Sequence, residues 1–317
     1  LEAEYFSQCT GVESDLYVPT GLFNHYILPY LNNTSWRIGF ADKNIARRML
    51  DIDNAQNYID VVFPECIASC QNGRYYIGYD LLASYEDIVE KLASVREDFI
   101  IKPSLDSSHG HGVRKVRESE INKEMVIALL NEYGKNFTVQ KVIKQHPTLA
   151  LFNPTSVNTI RITTYQDFNN KIKILYAAQR FGGKGKIYDN ADDPKGSGGF
   201  CAIDLDGTIN RVIHHYRNQD TSVLPNTIPE KIPNFEKIKE AVVFLHSRFP
   251  HYGLIGWDAS LTPDGHPIII EYNFVPGIGT GQLANHPFFS KEDLDEIMKR
   301  LSCVKTSLSV HVISGNK

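Results

Sequence analysis

The segment from Ile255 to Gly277, IGWDASLTPDGHPIIIEYNFVPG, restricts the fold more than any other stretch of the chain. Asp264-Gly265, preceded by Pro263, is a turn signal between two runs rich in Trp, Ile and Tyr, which predicts strand, turn and strand rather than helix. Side chains alternate faces along a strand, so Glu271 and Asn273 leave the same face, and Asp258 can reach that face from the partner strand. Three oxygen-bearing groups so placed suit a hard divalent cation such as Mg²⁺, which takes a few carboxylate and amide oxygens beside phosphate and water. A surface hairpin with incidental polar residues is the competing reading of this segment alone.

The remaining sequence narrows the choice. A chain of 317 residues can bury a full core as one large domain or as subdomains. Its net charge of −4 offers no broad basic field, which argues against a nucleic-acid partner. No apolar run approaches the roughly 18 to 20 residues that cross a bilayer. No charged-then-apolar leader opens the chain, so a cytoplasmic protein is expected. The five cysteines form no CxxC pair, which points away from a disulfide framework or a zinc site. Cys66 and Cys70, four apart, fit two buried residues on one helical face. The first residue is Leu1, as in a piece of a longer chain.

Residues 1–40 hold aromatic-rich short segments broken by Pro19, Gly21 and Pro29, and packing or a lid role is expected there. From Asp42 onward, Ile45, Met49 and Ile52 recur at helical spacing with Asp42 placed to cap the start. Lys43 then falls in the first turn, where a cation opposes the helix dipole. Strands are expected at Val61 to Pro64 and Tyr75 to Tyr79, and a helix at Ser84 to Val95 with Ser84 and Asp87 as its capping pair. Phe99 to Lys102 reads as a strand, and the small polar loop Ser104 to Gly112 precedes a second strand. A glycine-containing loop of this kind can wrap phosphate oxygens with backbone N–H groups, beside the charge of Lys102.

Glu118 to Tyr133 reads as a helix and Phe137 to Ile143 as an apolar strand. TSVNTIRITTY and KIKILYAAQRFG make a hairpin carrying Asn158, Arg161 and Arg180. Two arginines on neighbouring strands can clamp an anion bidentately, or simply form salt bridges on the sheet. The stretch 182–199 is rich in glycine and long for a loop inside a compact domain, as functional or mobile loops are.

Taken in order, the DK pair opening a helix, IIKPSLDSSHGHGV, the apolar strand, QKVIKQHPTLALFNPTSVNTIRI, DN followed by GSGGF, and the late hairpin ending in E-x-N resemble the ATP-grasp fold. The likeness is greatest to the group associated with sugar transfer and exopolysaccharide clusters. It covers Asp42 to about Gly281. The hairpin looks like the Mg²⁺ hairpin of D-alanine:D-alanine ligases.

The resemblance implies an α+β fold in which two subdomains grip ATP between antiparallel sheets. The expected divisions are 1–40 before the core, 41–145 as the small lid subdomain and 146–317 as the large subdomain with the metal site. It implies that Lys43 and Lys102 hold the α- and β-phosphates and that Ser104, Ser107, Ser108, Gly110 and Gly112 close over the outer phosphates. Gln140, Lys141, Val142 and Ile143 would contact adenine, and Asp258, Glu271 and Asn273 would bind one or two Mg²⁺. Lys102, Arg161 and Arg180 are the expected catalytic residues. Asn158, Arg161, Arg180, Asn190, Ser197 and Gly198 are the expected substrate contacts.

Two positions depart from relatives of this kind: Gln145-His146-Pro147 stands where a ribose-binding glutamate is common, and Gly256 where D-alanine ligases have an arginine. The implied activity is ATP- and Mg²⁺-dependent joining of a small carboxylate, here a sugar acid, to an amine through an acylphosphate. The rivals are a phosphotransferase, a peptide or amino-acid ligase, and a non-catalytic nucleotide-binding module.

Overall fold

A computed structural model of the protein describes residues 2–33, 41–51, 55–105, 112–189, 195–216, 220–285 and 287–314. Two antiparallel sheets with flanking helices give the expected α+β architecture. The first sheet draws on β1 (Cys66–Gln71), β2 (Arg74–Ile77), β3 (Leu81–Ala83), β4 (Phe99–Pro103), β5 (Arg114–Val116) and β6 (Phe137–Lys141), in the order β3-β2-β1-β6-β4-β5. The second is built from β7 (Thr159–Gln166), β8 (Ile172–Phe181), β9 (Gly199–Ile203), β10 (Val212–His215), β11 (Thr221–Val223), β12 (Leu254–Leu261) and β13 (Pro267–Asn273). Its order is β11-β10-β9-β8-β7-β12-β13.

Alternation of side chains decides what each face does. On the first sheet, Ala68, Cys70, Phe99, Ile101, Phe137 and Val139 pack beneath the helices Tyr85–Ala93 and Lys123–Tyr133. Lys102, Thr138 and Gln140 therefore leave by the opposite face. On the second sheet, Ile160, Ile162, Ala177, Phe181, Ile255, Trp257 and Leu261 share a core with the helix Phe235–His246. Its other face buries Tyr165, Tyr176, Ala178 and Leu254 against Phe23, Ile27, Phe288 and Ile297. The central strands are covered on both sides, which is why they read as apolar runs with few breaks.

Several local expectations hold. Ser84 Oγ accepts from the Asp87 N–H, and the Ser84 N–H donates to the Asp87 carboxylate, closing the capping box. Within the described part of residues 1–40, the helix Glu2–Thr10 and a helix over residues 20–31 form, and the second packs into the core of the large sheet. Asn32 fixes its end: its amide donates to the Leu254 and Phe274 carbonyls and its oxygen accepts from the Leu254 N–H.

Others are corrected. Val61 to Pro64 is not a separate strand; Val62 makes a single parallel bridge to Ile268, its N–H donating to Pro267 O and its carbonyl accepting from Ile269 N. That bridge ties the segment entering the small sheet to the edge of the large one. Cys66 and Cys70 lie on β1, not on a helix. In sequence a spacing of four fits a strand as well as a helix, and here the bulge between Cys66 and Ala68 turns Cys66 to the face opposite Cys70. The apolar strand from Phe137 ends its ladder at Lys141, leaving Val142 and Ile143 in irregular chain.

Beneath β12 lies a buried polar relay. Trp257 Nε1–H donates to Thr164 Oγ1 at 2.8 Å, and His246 Nδ1 lies 2.6 Å from that hydroxyl. His246 Nε2 lies 2.9 Å from the Tyr252 carbonyl, which can only accept, so Nε2 carries the proton and Nδ1 accepts from Thr164 in the neutral ring. Burial pulls this imidazole down to about 4, more than the Tyr252 carbonyl raises it. Above pH 6.5 the histidine is neutral folded or unfolded. Between pH 6.5 and 4 only the unfolded chain takes up the proton, so stability should fall on the order of 3 kcal/mol across that window. Urea unfolding at pH 7, 5.5 and 4.5 tests this: His246→Gln should flatten the dependence relative to the parent.

Candidate active site

The small-sheet wall is organised by the start of the helix Lys43–Asp51. The Asp42 carboxylate accepts from the Asn44 N–H at 2.8 Å, and the Asn44 amide donates to the Cys70 and Phe137 carbonyls, pinning the helix start across the ends of β1 and β6. Lys43 N–H donates to the Ser104 carbonyl at 2.9 Å, and Ser104 Oγ donates to Asp42 at 3.4 Å. Lys43 thus follows directly on the loop that β4 feeds, and Lys102 lies two residues before that loop's first anchor. Lys102 is buried. Burial lowers its pKa more than the neighbouring Glu271 carboxylate raises it, with Lys43 lowering it further and Asp258 opposing.

Gly112 marks the loop's return: with φ +74 it adopts a left-handed conformation, and a Cβ there would sit 2.8 Å from Pro103 Cγ. Tyr133 Oη donates to its carbonyl. The expected phosphate contacts Ser107, Ser108 and Gly110 lie outside the described residues, as does Asn190 on the other wall.

The large-sheet wall is a line of alternating charge. Asp258 on β12 stands opposite Arg161 on β7 and Glu271 on β13. Arg161 donates as a fork, Nε to Oδ1 at 2.6 Å and Nη2 to Oδ2 at 3.0 Å, and Arg180 Nη1 reaches Oδ1 at 3.3 Å. Burial works against the Asp258 carboxylate, but the two guanidiniums outweigh it and hold its carboxyl below the ordinary range. Arg180 also pairs with Asp189 at 3.5 Å, and Tyr216 Oη donates to the Asp189 carbonyl. Thr159 Oγ1 donates to the Asp189 carboxylate. Asp189 and Tyr216 were not foreseen; an aspartate in a polar run of unknown path gives no period to read.

Gly256 explains its own departure from the D-alanine ligase pattern. A Cβ built there would meet Pro276 Cβ at 3.0 Å and lie 3.8 Å from Arg161 Cδ. Pro276 crowds the position, and Arg161 of the neighbouring strand lies in van der Waals contact behind it.

Other expected contacts are placed less simply. Gln140 is buried on the cleft side, its amide donating to Tyr79 Oη at 2.8 Å. The Lys141 side chain pairs with Glu65 and Glu97 and its N–H with the Glu65 carbonyl, so it belongs to the sheet edge. Asn158 is 0% exposed, its Nδ2 donates to the Leu149 and Asn153 carbonyls, and its Oδ1 accepts from Ser156. It braces the chain from Gln145 to Asn158. Gln145 belongs to the same brace, accepting from the Asn158 N–H and donating to Ser156 O. Ser197 Oγ accepts from the Lys184 N–H and the Gly198 carbonyl from the Tyr216 N–H, so both secure the glycine-rich stretch beside Arg180's partners.

The donor set fits Mg²⁺. Asp258 and Glu271 face each other in register, and Asn273 follows two residues on. Among the described residues no group of three or more His, Cys, Asp or Glu is placed to hold a metal ion by itself. Two carboxylates and an amide leave coordination positions for phosphate and water, as Mg²⁺ requires. Asn273 Oδ1 accepts from the Val275 N–H, and both Asp258 oxygens accept from Arg161, so metal coordination would compete with these bonds.

Among solved structures, the chain is similar to VanG D-Ala:D-Ser ligase from Enterococcus faecalis, at 16% identity and TM-score 0.49, covering 82% of this chain and 61% of that one. D-alanyl-alanine synthetase A from Vibrio cholerae matches at 12% identity and TM-score 0.46, covering 83% and 64%. The ATP-grasp ligase PsnB with its minimal precursor matches at 12% and 0.45, covering 83% and 60%. The chain therefore spans about three-fifths of the length of these enzymes. No curated protein sequence matches it. The family model described as sugar-transfer associated ATP-grasp matches residues 23–298, and the chain belongs to that family.

Proposed function

We propose that this chain is an ATP- and Mg²⁺-dependent ligase that joins a carboxylate to an amine. The carrying observation is that the helix opened by Lys43 packs against both β6 of the first sheet and β13, the strand of Glu271 and Asn273, of the second. On this reading the phosphate-binding cations and the metal-binding oxygens line one cleft. Lys43 and Lys102 hold the phosphates, and Asp258, Glu271 and Asn273 hold the metal, which neutralises phosphate charge when bound. The acid attacks the γ-phosphate, giving an acylphosphate and ADP; the amine then attacks the carbonyl, and phosphate leaves. Arg161 and Arg180, which lie on the Asp258 carboxylate, would stabilise the negative charge that develops at the carbonyl.

A sugar acid is the preferred carboxylate, a reading supported by the family's association with sugar transfer. ADP release screened over uronic and nucleotide-sugar acids against small amines, with mass spectrometry of products, tests the whole reading. A stable phosphorylated product formed from one acceptor would identify a phosphotransferase instead. Arg180→Ala is expected to lower turnover roughly 10²- to 10³-fold, the usual cost of removing one such donor. Undiminished turnover would remove Arg180 from the mechanism.

A further inference from the structure

We propose that Arg47 is a third cation of the nucleotide site, binding the ribose-proximal α-phosphate between the base and the site of Lys102. The proposal rests on the ATP-binding reading above and extends it to a residue to which no role has been given.

Arg47 follows Lys43 by four residues on the helix Lys43–Asp51, so the two share a face. That helix packs against both β6, the expected adenine strand, and β13, the strand of Glu271 and Asn273. The Arg47 guanidinium lies 4.1 Å from the Phe63 ring centroid and 6.0 Å from that of Tyr79. Phe63 follows the Val62 bridge that joins the two sheets, and Tyr79 accepts from Gln140 on the cleft face of the small sheet.

Cys66 locates the group along the nucleotide. A bulge between Cys66 and Ala68 separates it from the core-facing residues of β1, and its register partner is Gln140. Burial pushes its thiol up to about 11, while Thr138, Tyr79, Arg47 and Lys102 each draw it down. Arg47 and Lys102 therefore both act on one point of the cleft face. Arg47 also lies 6.0 Å from the Tyr79 ring centroid, on the side of the expected adenine strand. A planar guanidinium stacked on an aromatic ring is pre-organised, with N–H groups directed from its edge, which suits a phosphate oxygen. Lysine at this position would keep the charge without the stacked fork.

Binding of ATP, ADP and adenosine measured by titration calorimetry separates the outcomes. Arg47→Met keeps an unbranched apolar stem against Phe63 and Tyr79. It should weaken ATP and ADP roughly ten- to a hundredfold and leave adenosine within about twofold. Arg47→Lys should recover only part of the loss, since it restores the charge without the stacked fork. If Arg47→Met does not fold, Arg47→Gln carries the same comparison. Unchanged ATP affinity, or equal losses for ATP and adenosine, would overturn the proposal and leave Arg47 a packing residue. If the parent protein and Lys102→Met both fail to bind ATP, the nucleotide reading falls with it; if only the Arg47 variants match the parent, that reading stands.

Discussion

Lys102→Met should make the free protein more stable while reducing turnover by at least about a hundredfold. The two effects have one cause. Lys102 is buried on the cleft face, and desolvation of its ammonium exceeds the help from Glu271 and Asp258, with Lys43 adding repulsion. In the absence of nucleotide the charge is therefore a net cost that methionine, of similar length and without charge, removes. In the presence of a triphosphate the same charge is matched. Thermal melting with and without ATP reads both terms: the variant should melt higher than the parent alone, and the increase on adding ATP should shrink. A variant that melts lower than the parent without ligand would show that Lys102 is a structural ion-pair partner instead.

Asp258→Asn should have the opposite signature, losing stability and activity together. Asp258 is 7% exposed and is the partner of two buried guanidiniums. Removing one partner of a buried pair leaves an uncompensated charge, which costs roughly 3 to 5 kcal/mol. Arg180 retains Asp189, so the larger part of the penalty falls on Arg161. Pairing Asp258→Asn with Arg161→Gln should therefore restore part of the stability, a coupling that a double-mutant cycle by urea unfolding measures directly. It should not restore turnover, because both the metal oxygen and the arginine are then gone. Additive losses would show that the fork contributes nothing beyond its separate residues.

The late hairpin was legible because its information is local: a Pro-Asp-Gly turn fixes the register, and the period of two then fixes which residues share a face. The helix start at Lys43 was legible for a similar reason, from Asp42 placed as its cap and apolar residues at helical spacing after it. The partner of Arg161 was not legible. Its strand and its neighbour Arg180 could be read, but the anion they hold in this structure is Asp258, 97 residues away in sequence. Only the strand order β8-β7-β12-β13 places these groups side by side.

The hydrogen bonds of Asn158 were not legible, because an amide near an arginine looks the same in sequence whether it faces a ligand or satisfies buried carbonyls. Cys66 and Cys70 misled because their spacing fits two periods. The bulge after Cys66 carries no sequence mark, yet the thiol's contacts with Thr138 and Gly78 belong to the face that also holds Gln140.

A crystal structure with Mg²⁺ and a non-hydrolysable ATP analogue tests the central claim most directly. The account predicts the phosphates between Lys43 and Lys102, the metal on oxygens of Asp258 and Glu271, and the Arg161 fork opened from Asp258. A nucleotide bound elsewhere, or Arg161 still forked onto Asp258 with the metal held by other residues, would contradict it.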